Sequence, residues 1–196
     1  MNSILAKVGP LQVSDPMLDF DYDLMEREQR PFVRRLMTWV AVNGQQPLVD
    51  LGAGTGMYVE EARGYSWQAQ GYDLTDRQTR PDLVQRQSLL EVDDPGRTVL
   101  CIEVAEHLPE SDAWGVIDSV WRNCLPGGLV IWSAAHPGQG GVGHINCQPP
   151  AYWRERAIIR GFVIREDLEQ DLHAWITSGY HMGWFAQNRQ VWQRPL

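Results

Sequence analysis

Apolar residues recur along this chain with two alternating periods. Phe32, Val33, Leu36, Met37 and Val40 repeat at helical spacing. The pattern predicts helices over Asp19–Gln29 and Pro31–Val42, with Pro31 in a first turn where its missing N–H costs little. The period then shortens. Leu48-Val49-Asp50-Leu51 reads as a strand, and a helix from Met57 to about Arg63 follows it. Further strands are expected at Trp67–Asp73, Leu83–Gln87 and Thr98–Val104. Trp114, Ile117, Val120, Trp121 and Cys124 form the apolar stripe of another helix, capped by Ser111 or Asp112. Pro126-Gly127-Gly128 ends that helix and delivers a fifth strand, Leu129–Ala134. Strands alternating with helices imply a parallel sheet covered on both faces.

Composition narrows the class. A chain of 196 residues with 43% hydrophobic content fits one domain: a helical cap (1–46), a core (47–135) and a C-terminal part (136–196). Neither a signal-like start at Met1–Pro10 nor an apolar run of about 18 residues is present in the sequence. Cys101, Cys124 and Cys147, odd in number and irregular in spacing, read as reduced thiols of a cytoplasmic protein. A net charge of -8 argues against broad capture of nucleic acid. Two arginine groups, Arg30/Arg34/Arg35 and Arg154/Arg156/Arg160, read as solvated helix faces rather than basic patches.

The chemistry starts at Gly52-Ala53-Gly54-Thr55-Gly56, at the mouth of a strand-to-helix turn, where absent side chains let backbone approach a ligand. Met57 occupies the third glycine position of a G-x-G-x-x-G dinucleotide fingerprint, which excludes that motif. Asp73 ends the next strand, where a carboxylate can accept hydrogen bonds from both hydroxyls of a ribose.

The run Val49–Gly56 resembles the first motif of class I S-adenosylmethionine methyltransferases, and Leu125-Pro126-Gly127-Gly128 and the stretch from Trp184 to Trp192 are similar to later parts of that family. The resemblance implies an α/β Rossmann-like three-layer sandwich, with a mostly parallel seven-stranded sheet, helices on both faces and an antiparallel last strand. It also implies S-adenosyl-L-methionine as cofactor, bound by Asp50, Gly52, Gly54, Gly56 and Asp73, with Ser88 and Leu89 in the adenine region and Glu103 lining the pocket. Tyr22 is a candidate to close over the cofactor from the N-terminal helix.

Glu103-Val104-Ala105-Glu106-His107 lies at the end of the fourth strand, on the side of the sheet that faces the ligand crevice. If a helical turn starts there, Glu103, Glu106 and His107 share one face. The segment resembles the Glu-x-x-Glu-His motif of small-RNA 3′-terminal 2′-O-methyltransferases and of ubiquinone-biosynthesis O-methyltransferases. The RNA group implies a divalent metal on Glu103, Glu106, His107 and a downstream histidine, His144, with His136 as competitor; Mg, Mn, Fe and Zn all suit such ligands. The metal-free alternative makes His107, or else His136, a general base. A third reading leaves Glu103 as pocket lining and gives His107 a structural role.

The glycine-rich run His136–His144 is expected to form a loop over the crevice. Of nine tryptophans, Trp132, Trp153, Trp175 and Trp184 are candidates for an aromatic pocket wall, while Trp114 and Trp121 read as core. The expected function is methyl transfer to a hydroxyl of a small molecule. The alternatives are 2′-O-methylation of an RNA 3′ end, or a non-catalytic cofactor-binding subunit.

Overall fold

The computed structural model describes residues 22–74, 80–179 and 182–196. Along the chain run α1 (Tyr22–Asn43), β1 (Leu48–Leu51), α2 (Met57–Gly64), β2 (Ala69–Asp73), β3 (Val84–Arg86) and β4 (Gly96–Ile102). They are followed by α3 (Ala113–Asn123), β5 (Cys124–Ser133), α4 (Pro150–Arg160), β6 (Val163–Ile164), α5 (Glu166–Thr177), α6 (Gly183–Asn188) and β7 (Gln190–Gln193). The seven strands make one sheet of order β3-β2-β1-β4-β5-β7-β6. Strands β1 to β5 pair in parallel, and β7 lies antiparallel between β5 and β6. The expected Rossmann-like three-layer sandwich is therefore the observed fold.

Both faces of the sheet are buried, which is why its central strands read as continuous apolar runs. Val99, Cys101, Val130, Trp132 and Trp192 pack under α3 and α4 on one face, against Val116, Ile117, Val120, Trp153 and Ala157. Their neighbours in sequence, Leu100, Ile102, Leu129, Ile131 and Val191, face the other way, toward α1, α2, α5 and α6. Trp132 lies between Trp153 and Trp192, with ring centroids 5.2 and 4.8 Å away.

Several boundaries differ from the sequence expectation. The two expected N-terminal helices are one, α1, with Pro31 inside it. Pro31 is exposed, on the side of the helix away from the core, while Phe32, Val33, Leu36, Met37 and Val40 are buried. Cys124 opens β5 rather than closing α3, and pairs with Gly96 of β4. Asp112 stands at the N-cap of α3 without a side-chain cap, its carboxylate accepting from the Ser111 hydroxyl instead. Trp114 is exposed, with the Arg156 guanidinium 5.4 Å from its ring, whereas Trp121 packs edge-on against Phe162. No helix among the described residues is long and apolar enough to cross a membrane. The three cysteines are free thiols, with Cys101 and Cys124 buried.

The arginine groups are spent locally. Arg30 and Arg34 bind Glu60 and Glu61 on α2, and Arg35 donates to the Trp175 carbonyl. Arg154 pairs with Glu169 and Arg160 with Asp118, while Arg156 stacks on Tyr152.

Candidate functional site

Strand order reverses between β1 and β4, and the crevice beyond their C-terminal ends is the expected ligand position in such a sheet. A cavity of about 550 Å³ lies there. The turn between β1 and α2 forms one wall, with Gly52, Gly54 and Gly56 all at positive φ (84°, 52° and 84°). A Cβ on Gly52 would stand 2.4 Å from a methyl of Val104, so glycine lets this turn seat against the end of β4. At Gly54 a Cβ would meet nothing within 4 Å, because that glycine faces the cavity. Gly56 does not line the cavity; it packs on Val84 and opens α2.

Asp73 lines the cavity and accepts the Gly54 N–H at 2.8 Å, which ties the end of β2 to the glycine turn. Ser88 and Leu89 line it as well, the Ser88 hydroxyl accepting from the Leu90 N–H. Asp50 lies behind the wall, only 1% exposed, and one of its carboxylate oxygens has no hydrogen-bond partner. Burial, and then the charge of Asp73, pushes its pKa up to about 8. A cation arriving in the cavity would favour the ionised form. Tyr58 also lines the cavity, its hydroxyl pKa raised by burial and by Asp50 and Glu103. Tyr22 starts α1, but its side chain is outside the described residues.

Glu103 departs from the expected helical turn. Its φ of 53° is left-handed, and the 3₁₀ turn that follows spans Ala105–His107. The Glu103 carboxylate lies in an amide pair, close enough to Glu106 for its charge to act on that carboxyl. Gln139 Nε2 donates to one oxygen at 2.8 Å and Asn188 Nδ2 to the other at 3.2 Å, while Asn188 also donates to Gln139 Oε1 at 2.7 Å. Sequence reasoning named neither amide as a site residue. The available signal was that Gln139 has the only polar side chain in the run Pro137–Gly143.

Glu106, His107 and His144 do converge, each offering a ligand atom within 4.8 Å of the others. Glu106 is fully buried and neither carboxylate oxygen has a hydrogen-bond partner. Burial and the nearby Glu103 charge raise its pKa to about 8. Its backbone carbonyl accepts from Ile145 and Asn146 N–H at 2.9 and 3.0 Å, which pins the far end of the glycine loop. The two imidazoles meet edge to face, centroids 4.9 Å apart. His107 Nδ1 faces the Gly143 carbonyl at 3.2 Å, and His144 Nδ1 faces the Gln139 carbonyl at 3.3 Å. A carbonyl oxygen only accepts, so each Nδ1 acts as the donor in its pair; Cys147 Sγ also lies 3.8 Å from His144 Nδ1. His144 Nε2 points at Glu106, 3.9 Å from Oε1. Burial and the His144 charge lower the His107 pKa, which favours neutral imidazole.

His136 stands apart. It is paired with the Gln187 side chain at 3.0 Å and does not line the cavity. Of the tryptophans considered for a pocket wall, Trp184 lines the cavity, Trp132 and Trp153 are core, and Trp175 packs with Arg35.

No protein-family model and no curated protein matches the sequence. Solved structures match the fold. A SAM-dependent methyltransferase from Archaeoglobus fulgidus superposes with a TM-score of 0.66 at 13% identity, over 89% of this chain and 100% of that one. Magnesium protoporphyrin IX methyltransferase from Synechocystis PCC 6803, with SAM bound, gives 0.58 at 15% identity, over 92% and 88%. The [4+2]-cyclase SpnF gives 0.58 at 16% identity, over 85% and 81%. At these identities the likeness is one of fold, the α/β Rossmann-like methyltransferase fold.

Proposed function

We propose that this chain transfers a methyl group from S-adenosylmethionine to a hydroxyl of a small uncharged molecule, with a divalent cation held by Glu106, His107 and His144. One observation bears most of the weight: a single cavity joins the glycine turn and Asp73 to the two imidazoles. Among the described lining residues, Asp73 and Glu103 carry negative charge and none is Lys or Arg. Such a lining suits a sulfonium cofactor and a neutral acceptor better than a phosphodiester chain end.

Asp73 would accept the ribose hydroxyls, the open face of Gly54 would admit the cofactor against backbone, and Ser88 and Leu89 would border the adenine. Glu103 would place negative charge beside the cofactor's cationic end, and Asp50, its pKa raised to about 8 by burial, would ionise as that cation arrives. A cation fits the second cluster because Glu106 has two orphaned buried oxygens and both imidazoles have their Nδ1 protons tied to carbonyls, the arrangement that fixes metal-ligating histidines. Bound there, it would supply Lewis acidity that lowers the pKa of an acceptor hydroxyl. The chain's own residues then contribute alignment, because methyl transfer is an in-line displacement whose rate depends on holding oxygen and methyl near contact distance.

The cation-free reading is supported by the neutral imidazole of His107 on the cavity wall, able to take the hydroxyl proton as general base. Calorimetric titration separates the two. S-adenosylhomocysteine is expected to bind the wild-type chain and to lose at least about tenfold in affinity in Asp73→Ala, the scale of a charge-assisted hydrogen-bond pair. Mn²⁺ or Zn²⁺ is expected to bind one saturable site that Glu106→Ala and His107→Ala abolish. Cofactor binding without cation binding would leave His107 as base, and absence of cofactor binding would overturn the proposal.

A further inference from the structure

We propose that Gln139 is a positioning residue that latches the segment 139–142 over the cavity and couples the cofactor end of the site to the Glu106–His107–His144 cluster; this rests on the function proposed above. Gly138 and Gly143 flank the segment, both at positive φ (92° and 72°), and all four residues between them line the cavity. Two hinges of that kind bracket a short span with little side-chain packing of its own.

Gln139 reaches both ends of the site at once. Its side-chain amide donates to Glu103 at 2.8 Å and accepts from Asn188 at 2.7 Å, closing a ring of three polar groups with the 3.2 Å bond from Asn188 to Glu103. Asn188, at the end of α6, is buried and gives the ring a fixed foot. The Gln139 backbone carbonyl, in turn, accepts the Nδ1 proton of His144. Lifting Gln139 would therefore strip Glu103 of its shorter hydrogen bond and take from His144 Nδ1 its carbonyl partner, leaving it the longer contact with Cys147 Sγ at 3.8 Å.

The consequence is a linkage. A cofactor filling the cavity contacts the glycine turn on one side and segment 139–142 on the other, which favours the latched state. That state is also the one in which His144 Nε2 faces Glu106. Cofactor and cation should each tighten the other's binding by one common factor.

The test uses the full chain with Mn²⁺ and S-adenosylhomocysteine as probes, and Glu106→Gln to define background Mn²⁺ binding. In wild type, saturating S-adenosylhomocysteine is expected to tighten Mn²⁺ binding by roughly fivefold or more. In Gln139→Ala each probe still binds alone and the factor falls to within about twofold of one. Gln139→Glu, which sets a second carboxylate against Glu103, is expected to uncouple the probes in the same way. An equal factor in wild type and Gln139→Ala, or no coupling in wild type when both probes bind, overturns the latch. If a probe fails to bind wild type at all, the functional reading has failed instead. Amide exchange of the ligand-free proteins then decides the latch alone: faster exchange over 140–146 in Gln139→Ala supports it, and equal exchange overturns it.

Discussion

Asp50 and Asp73 end up with opposite surroundings although both sit near the C-terminal ends of neighbouring strands. Asp73 faces the cavity and has the Gly54 N–H; Asp50 is sealed behind the turn with one oxygen unpartnered. The pKa of Asp50 stands at about 8 in the folded chain against an ordinary 3.8. Between those values the folded state holds a proton that the unfolded state has released, so this group's contribution to stability falls as pH rises from about 4 to about 8 and is flat above. Asp50→Asn removes the titration. Its melting temperature, measured against wild type, is expected to rise relative to it across that window, by at least the roughly 2–4 °C that 1 kcal/mol represents in a chain of this size. A temperature gap that does not change with pH would mean that Asp50 is not the buried acid described here. The acids and glycines of this half of the site were legible in the sequence because their chemistry depends on spacing alone, as with Asp50, Gly52, Gly54 and Gly56 across one strand-turn-helix.

At the level of elements, legibility ended where one residue took an unusual backbone conformation. The i, i+3, i+4 spacing of Glu103, Glu106 and His107 suggested one face of a helical turn, yet Glu103 has a left-handed φ and stands outside the group of ligand atoms that Glu106, His107 and His144 bring together. Glu106 and His107 go to the imidazole cluster and Glu103 to Gln139 and Asn188. Nothing in the residue types marks such a φ on a glutamate, and Asn188 arrives from 85 positions away. The same constraint makes the glycine turn testable. Gly52→Ala would press a methyl to 2.4 Å from Val104 while holding alanine at φ 84°, costing about 1–3 kcal/mol. Adding Val104→Ala should restore the steric share of the lost urea midpoint and leave the backbone share. In the loop, a Cβ on Gly141 would fall 2.2 Å from His144 Nε2. Gly141→Ala is therefore expected to weaken Mn²⁺ binding by about tenfold or more, the loss typical of a disturbed ligand shell, with S-adenosylhomocysteine affinity kept within about threefold of wild type. Equal loss of both probes would point to collapse of the whole loop.

For the molecule as a whole, the alternation of apolar runs and helical stripes was enough to predict a parallel sheet with helices on both faces. The union of α1 across Pro31 was not, because it depends on the proline facing solvent in the folded chain. Charge acts at this scale too. The chain carries -8, its two arginine groups are bound to neighbouring acids, carbonyls and rings, and the described cavity lining holds two carboxylates and no Lys or Arg. An RNA 3′ end brings a phosphodiester within a few ångströms of its terminal ribose hydroxyl, and its capture depends on basic groups that neutralise phosphates. A short single-stranded RNA, titrated by fluorescence anisotropy at 50 and at 200 mM salt, is expected to show no saturable binding at either; these concentrations bracket the range over which phosphate contacts declare themselves. Neutral diols and catechols should instead be methylated at rates that change little between the two. Saturable RNA binding that weakens steeply with salt would move the acceptor assignment to RNA ends.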